Sequence, residues 1–225
     1  MDGPISLEER GFAVVDGVLA PDECEALAAK VAPAGRSPAG TRNLLAEDWC
    51  RSLADRLRRD ARLAEMIPGD AEAVQCSYFE KSRAGNWLVP MHQDLALPVA
   101  ERVEHPDLRG WSEKEGGLFV QPPDWFLAAM VAVRVHLDPC GPEDGPLRVI
   151  PGSHRLGRLD PEALAAARRA TPEVPCPAGR GDALVMRPLL LHASSRSIGD
   201  GRRRVLHFLF APRDFPHGLR RRDPA

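Results

Sequence analysis

The sequence predicts a mainly β (α+β) domain, a sandwich or barrel of short strands with helices gathered toward its N-terminal end. Apolar runs recur at 73–80, 87–97, 130–138, 146–150, 183–194 and 203–211, separated by Gly, Pro and Asp, as strands joined by turns would be. Helical periodicity is concentrated in the first 70 residues. A chain of 225 residues, 44% of them hydrophobic, is enough for one sizeable core, so a single domain over 1–225 is expected.

Taken in order, Gly11 to Leu19 is a β-leaning apolar run, and Pro21-Asp22-Glu23 then opens an Ala/Leu-rich helix with acids in its first turn. Residues 44–67 read as one further helix: Leu53, Leu57, Ala61, Ala64 and Ile67 fall on one face, and Pro68-Gly69 stops it. The strand-like runs follow. The interval 98–125, polar and rich in Pro, Gly and Trp, is too long for an ordinary connection and reads as a lid or binding loop. Asp160 caps a surface helix that has Pro161 at its first position and runs to Ala170. Ile198-Gly199-Asp200-Gly201 is turn chemistry, so His192 and Arg203 are expected on the two arms of a β-hairpin.

Bulk properties exclude several classes. The formal net charge is -2, which gives no general attraction to nucleic acid or anionic membrane. Neither Arg202-Arg203-Arg204 nor Arg220-Arg221-Arg222 carries interleaved aromatics, so each reads first as a solvated face. The opening Met1-Asp2-Gly3-Pro4 lacks the regions of a signal peptide, and no apolar run has the length of a membrane span; a cytoplasmic location follows as the expectation. Five scattered cysteines without a CxxC pair suit reduced, buried thiols. The expected partner is a small molecule, with the protein a monomer or homodimer.

His92 and Asp94 lie two apart in a strand-like segment and so share a face, offering one nitrogen and one oxygen to a cation. A second imidazole would complete the 2-His-1-carboxylate set of non-haem iron(II) oxygenases. His192, set among leucines, is the candidate; its bland alternative is a core histidine satisfied by a carbonyl. Arg203 gives His192 a companion. A guanidinium on a half-buried strand is costly unless paired, and its fork suits a planar carboxylate. Ser194, two residues after His192, faces the same way. In the run Met130 to Asp138, Val131, Val133, Val135 and Leu137 share one face, and Arg134 and His136 the other, which meets either water or a polar cavity. Arg134 and Trp87 are substrate-contact candidates. His105, His154, His207 and His217 read as structural or surface residues.

With these motifs in hand, the chain resembles the phytanoyl-CoA dioxygenase-like branch of the Fe(II)/2-oxoglutarate oxygenases. The likeness rests on GFAVVDGVLAPDECEAL, NWLVPMHQD, GPLRVIPGSHRLGRL and MRPLLLHASS followed by RRRVLHFLF. It implies a double-stranded β-helix (a jelly-roll, cupin-like barrel) with helices packed on one side. It also implies iron(II) on His92, Asp94 and His192, with 2-oxoglutarate and O2 as co-substrates. Arg203, eleven residues after His192, corresponds to the arginine that holds the distal carboxylate of 2-oxoglutarate, Ser194 to its hydroxyl companion, and Gln75 to a polar residue on the preceding strand. Relatives that halogenate replace the metal carboxylate with a small residue; Asp94 is retained, so hydroxylation or a related oxidation, with release of succinate and CO2, is expected. The competing readings are a cupin-like divalent-metal enzyme that does not use 2-oxoglutarate and a non-catalytic binding module of the same fold.

Overall fold

The computed structural model describes residues 4–31, 41–82, 85–199 and 201–222. Its helices are α1 (Pro4–Arg10), α2 (Pro21–Val31), α3 (Asp48–Arg59), α4 (Ala61–Ala64), α5 (Asp124–Ala129) and α6 (Pro161–Ala170). Twelve strands accompany them: β1 (Phe12–Val15), β2 (Ala71–Lys81), β3 (Val89–His92), β4 (Leu97–Val99), β5 (Arg109–Lys114), β6 (Gly117–Gln121), β7 (Val131–His136), β8 (Leu147–Val149), β9 (Val174–Cys176), β10 (Ala183–Met186), β11 (His192–Ser194) and β12 (Arg203–Pro212). They form an antiparallel sheet in the order β1-β10-β7-β12-β2, a second in the order β3-β11-β8-β9 and a three-stranded sheet β4-β6-β5.

Strand alternation explains how the layers stack. On β12, Leu206, Phe208 and Phe210 pack with Val131, Val133 and Val135 of β7 against Leu27, Leu53 and Leu57 of the N-terminal helices. The opposite faces of these strands, with Ala132, Leu184, Met186 and Leu209, meet Leu147, Val149 and Cys176 of the second sheet. The five-stranded sheet is thus covered on both sides, which is why Val131 to Val133 of β7 and Phe208 to Ala211 of β12 are apolar without a break. Truncating Phe208, fully buried under the helices, should cost about 3–5 kcal/mol; a Phe208→Ala denaturation curve with an unchanged slope and a lower midpoint would register it.

Several expected elements divide. The 44–67 helix is three pieces, Leu44–Ala46, α3 and α4, because Asp60 leaves the helix (ψ 122°) and its carboxylate accepts from the Arg62 amide at 2.9 Å, capping α4. The run 183–194 becomes two strands in different sheets. Pro188 lacks an N–H for a ladder, and the turn Leu190 N–H to Arg187 O carries the chain across between β10 and β11. β11 and β12 are likewise not hairpin partners: β11 pairs with β3 and β8, and β12 with β2 and β7. The turn residue Asp200 lies outside the described residues.

The interval 98–125 is not an irregular loop. It forms most of the third sheet, ending at Asp124 in the start of α5. Glu115 and Gly116 turn the β5–β6 hairpin with φ of 50° and 71°, a conformation that costs a side-chain-bearing residue unless something holds it. Four hydrogen bonds do: Thr41 Oγ1, Arg42 N and Arg42 Nη1 donate to the Glu115 carboxylate, and Asn43 Nδ2 to its carbonyl. The capped helix at Asp160 is as expected, with the carboxylate accepting from Ala163 N at 2.8 Å.

Candidate metal centre and co-substrate pocket

A cavity of about 540 Å3 opens between the two main sheets and the β5–β6 hairpin; His92, Asp94, Arg134, His192, Ser194 and Arg203 are among its lining residues, with Gln75 and Trp87. The backbone brings the first three potential ligands together. His192 is the register partner of His92 across the β11–β3 ladder, and the rings lie 4.2 Å apart between centroids. Asp94 sits just past the end of β3, where its amide donates to Pro188 O at 2.9 Å. That contact, rather than continued strand alternation, aims its carboxylate between the rings.

Both rings have their tautomer set by the main chain. His92 Nδ1–H donates to Pro90 O at 2.8 Å and His192 Nδ1–H to Leu190 O at 2.9 Å, which leaves each Nε2 with a lone pair. Those Nε2 atoms stand 3.6 Å from Asp94 Oδ1 and Oδ2 respectively. One donor atom from each of the three residues falls within 4.8 Å of the others, a set that a single transition-metal ion can bridge. Burial pushes the Asp94 carboxyl up, but His192, His92 and His207 around it outweigh this and hold it far below the usual range. Burial brings His192 down to about 4, so it is a neutral donor at physiological pH.

His207, expected as a structural or surface residue, is buried and lines this cavity. Its Nδ1 accepts from Arg134 Nη1 at 3.1 Å, which puts its proton on Nε2, 3.8 Å from Asp94 Oδ2. Strand alternation could have found it, since Arg203, Val205 and His207 share one face of β12. Lys81 was missed too. It is 1% exposed, is the register partner of Arg203, and donates to Ser194 Oγ at 2.7 Å and to Ser195 O. Burial, then the charges of Arg203 and Arg134, bring its pKa down to about 7.

Arg203, 4% exposed, donates through Nη1 to Gly145 O and to Ser194 Oγ at 3.3 Å, while its Nε is buried without a partner. Among the described residues neither Lys81 nor Arg203 has a carboxylate within ion-pair reach. A buried guanidinium without a counter-ion is costly, and with an amine brought down to about 7 beside it, the pair leaves a place for an anionic ligand. The Ser194 hydroxyl donates to Gly145 O at 2.9 Å. Gly145, with φ 63°, makes this floor possible, since a Cβ there would lie 2.4 Å from Ser195 O. Gln75 donates to Ser77 Oγ at 2.7 Å and keeps a buried Oε1 unpartnered; Trp87 stands with its ring 5.7 Å from Lys81 Nζ.

The remaining histidines stand apart from this cavity. His154 Nε2 meets Glu8 O at 3.1 Å, and His136, 3% exposed, is held neutral by burial. His105, Asp107 and His217 form a second close group, but its rings stack at 3.6 Å and 17°, so their in-plane lone pairs lie in separate layers and do not converge on one ion.

The sequence profile described as phytanoyl-CoA dioxygenase (PhyH) matches residues 7–205. The chain belongs to the phytanoyl-CoA dioxygenase family. It is therefore a non-haem iron, 2-oxoglutarate-dependent enzyme acting on a small molecule. No curated protein sequence matches it. Among solved structures, the chain is similar to the non-haem α-ketoglutarate-dependent carbocyclase SnoK from nogalamycin biosynthesis (TM-score 0.69, 16% identity, covering 94% of this chain and 83% of SnoK). EctD from S. alaskensis superposes with a TM-score of 0.68 at 20% identity, over 100% of this chain and 86% of EctD. HygX from Streptomyces hygroscopicus, solved with nickel and 2-oxoglutarate bound, gives 0.60 at 20% identity, over 92% and 84%. The shared fold is the jelly-roll double-stranded β-helix. This dioxygenase-family chain has five free cysteines, all buried, and no helix among its described residues is long and apolar enough to cross a membrane.

Proposed function

We propose that this dioxygenase binds iron(II) through His92 Nε2, His192 Nε2 and the Asp94 carboxylate, grips 2-oxoglutarate with Arg203, and hydroxylates a small metabolite in the cytoplasm. The observation that carries this reading is the pair of Nε2 lone pairs, fixed by Pro90 O and Leu190 O, that flank one carboxylate at the wall of a cavity also holding an uncompensated Arg203. Ferrous iron with 2-oxoglutarate and O2 supplies the oxidising chemistry, leaving succinate and CO2. The protein's own contribution is placement and exclusion of water. His207 keeps its Nε2 proton toward Asp94 and so orients that carboxylate. The latched β5–β6 hairpin walls the cavity through Lys114, Glu115, Phe119 and Gln121, in the interval read as a lid. A near-neutral net charge gives no general pull toward nucleic acid, and we read the protein as a monomer or homodimer that does not bind it. Incubation with iron(II), ascorbate, O2 and 2-oxoglutarate across a metabolite panel tests the reading: substrate-dependent succinate release supports it, and no release under any condition counts against it.

Arg203 is given the distal carboxylate of 2-oxoglutarate, Ser194 its hydroxyl contact and Lys81 a second cation behind it, with Gln75 beside the chelating end. Lys81 yields a pH signature. Above about pH 7 it is largely neutral in the free protein, and the arriving dianion favours its ammonium form. Binding should then take up a proton above pH 7 and none well below it, with apparent affinity falling up to about tenfold per pH unit as pH rises. Calorimetry in buffers of different ionisation enthalpy reads this uptake, and Lys81→Met should abolish it.

Gly145→Ala would strain a left-handed backbone and displace the carbonyl that receives both Arg203 and Ser194. Losing one hydrogen bond to a charged group costs about 1.5 kcal/mol, so 2-oxoglutarate should bind roughly tenfold more weakly. Metal affinity should stay the same, as equilibrium dialysis would show.

A further inference from the structure

Arg134 is a buried cation that the assignment of iron and 2-oxoglutarate does not use. It is 7% exposed on β7, faces the cavity, and has no ion-pair partner among the described residues. One nitrogen, Nη1, is occupied by His207 Nδ1, and its guanidinium lies 5.6 Å from the Phe79 ring centroid. Those contacts brace it but do not neutralise it. Among the described residues, the buried Nε has no partner and Nη2 makes no hydrogen bond. The Nε–Nη2 edge of a guanidinium is the side-on fork that matches a carboxylate or phosphate with two parallel hydrogen bonds.

The charge balance points the same way. A ferrous ion and the 2-oxoglutarate dianion cancel, so the loaded cavity keeps the charges of its deep wall: Asp94 against Arg134 and Arg203. At the mouth, Arg42 and Glu115 are paired at 2.7 Å and offset each other. One positive charge is left over even with Lys81 neutral, and Lys114 at the rim adds to it. Burial lowers Arg134 to about 10, so it stays charged at neutral pH. An unpaired charge in such a place is costly, and a ligand oxyanion would offset that cost.

We propose that Arg134, braced by His207 and Phe79, is the recognition group for an oxyanion carried by the substrate, so that the enzyme acts on carboxylated or phosphorylated small molecules. This rests on the iron and 2-oxoglutarate assignment above. The full-length protein loaded with nickel(II) and saturating 2-oxoglutarate, titrated calorimetrically with benzoate, inorganic phosphate and the neutral isostere benzamide, tests it without turnover. Benzoate and phosphate should bind at least tenfold more tightly than benzamide. Arg134→Gln should bring both to the benzamide level while 2-oxoglutarate affinity stays within about twofold, which also reports that the variant is folded; Arg134→Lys, keeping charge without the fork, should recover phosphate better than benzoate. The proposal is overturned if the wild type shows no preference for the anions, if the preference survives Arg134→Gln, or if Arg134→Gln weakens 2-oxoglutarate as much as benzoate. Failure of the wild type to bind 2-oxoglutarate at all would instead remove the assignment on which it rests.

Discussion

Asp94→Ala is expected to abolish stoichiometric iron(II) binding and reduce 2-oxoglutarate turnover by more than 100-fold. Loss of residues that only orient a metal ligand typically costs 10–100-fold, and Asp94 is the sole carboxylate among the three converging donors. Its removal leaves two neutral imidazoles and takes the compensating negative charge away from a wall that also holds Arg134 and Arg203. The fold should survive, because Asp94 is a third exposed and its backbone anchor is the amide that donates to Pro188 O. Circular dichroism unchanged, together with iron content near zero after dialysis, would be the matching pair of results; retention of one tightly held iron per chain would place the metal elsewhere.

Arg203→Met should raise the 2-oxoglutarate Kd about 100-fold or more while leaving iron affinity nearly unchanged. Two charge-assisted hydrogen bonds to one carboxylate at about 1.5 kcal/mol each give about 3 kcal/mol, close to two decades in binding. The guanidinium is buried, so salt screening does not dilute the effect. Methionine fills similar volume, which separates loss of charge from loss of packing. An unchanged Kd would favour a divalent-metal enzyme of this fold that does not use 2-oxoglutarate.

Much of this was legible in the residues. That His92, Asp94, His192, Arg203 and Ser194 meet at one cavity could be expected because each is a polar side chain standing out of an apolar run, and β7 announced its two faces through alternating valines. What failed was tertiary pairing. The sequence placed His192 and Arg203 on one hairpin, yet their strands lie in different sheets, and only the folded sandwich brings Arg203 to Ser194. Lys81 sits at the end of a run whose apolar residues draw attention first, and its importance comes from its register with Arg203, 122 positions later in the numbering. The third sheet hid in a polar, Gly- and Trp-rich stretch because its tip is held by hydrogen bonds to residues 41–43, which no local pattern reveals. Asp94 was expected beside His92 for an incomplete reason: the anchor at Pro188 O, not strand periodicity, fixes its place.

On the proposed assignment, two imidazoles and one carboxylate hold a single ferrous ion with room beside it for the 2-oxo acid. Anaerobic addition of iron(II) and then 2-oxoglutarate, followed by visible absorption, tests it most directly. A weak charge-transfer band should appear, saturate at one equivalent of each and be missing in Asp94→Ala; a wild-type protein that binds both components and shows no such band would overturn the assignment.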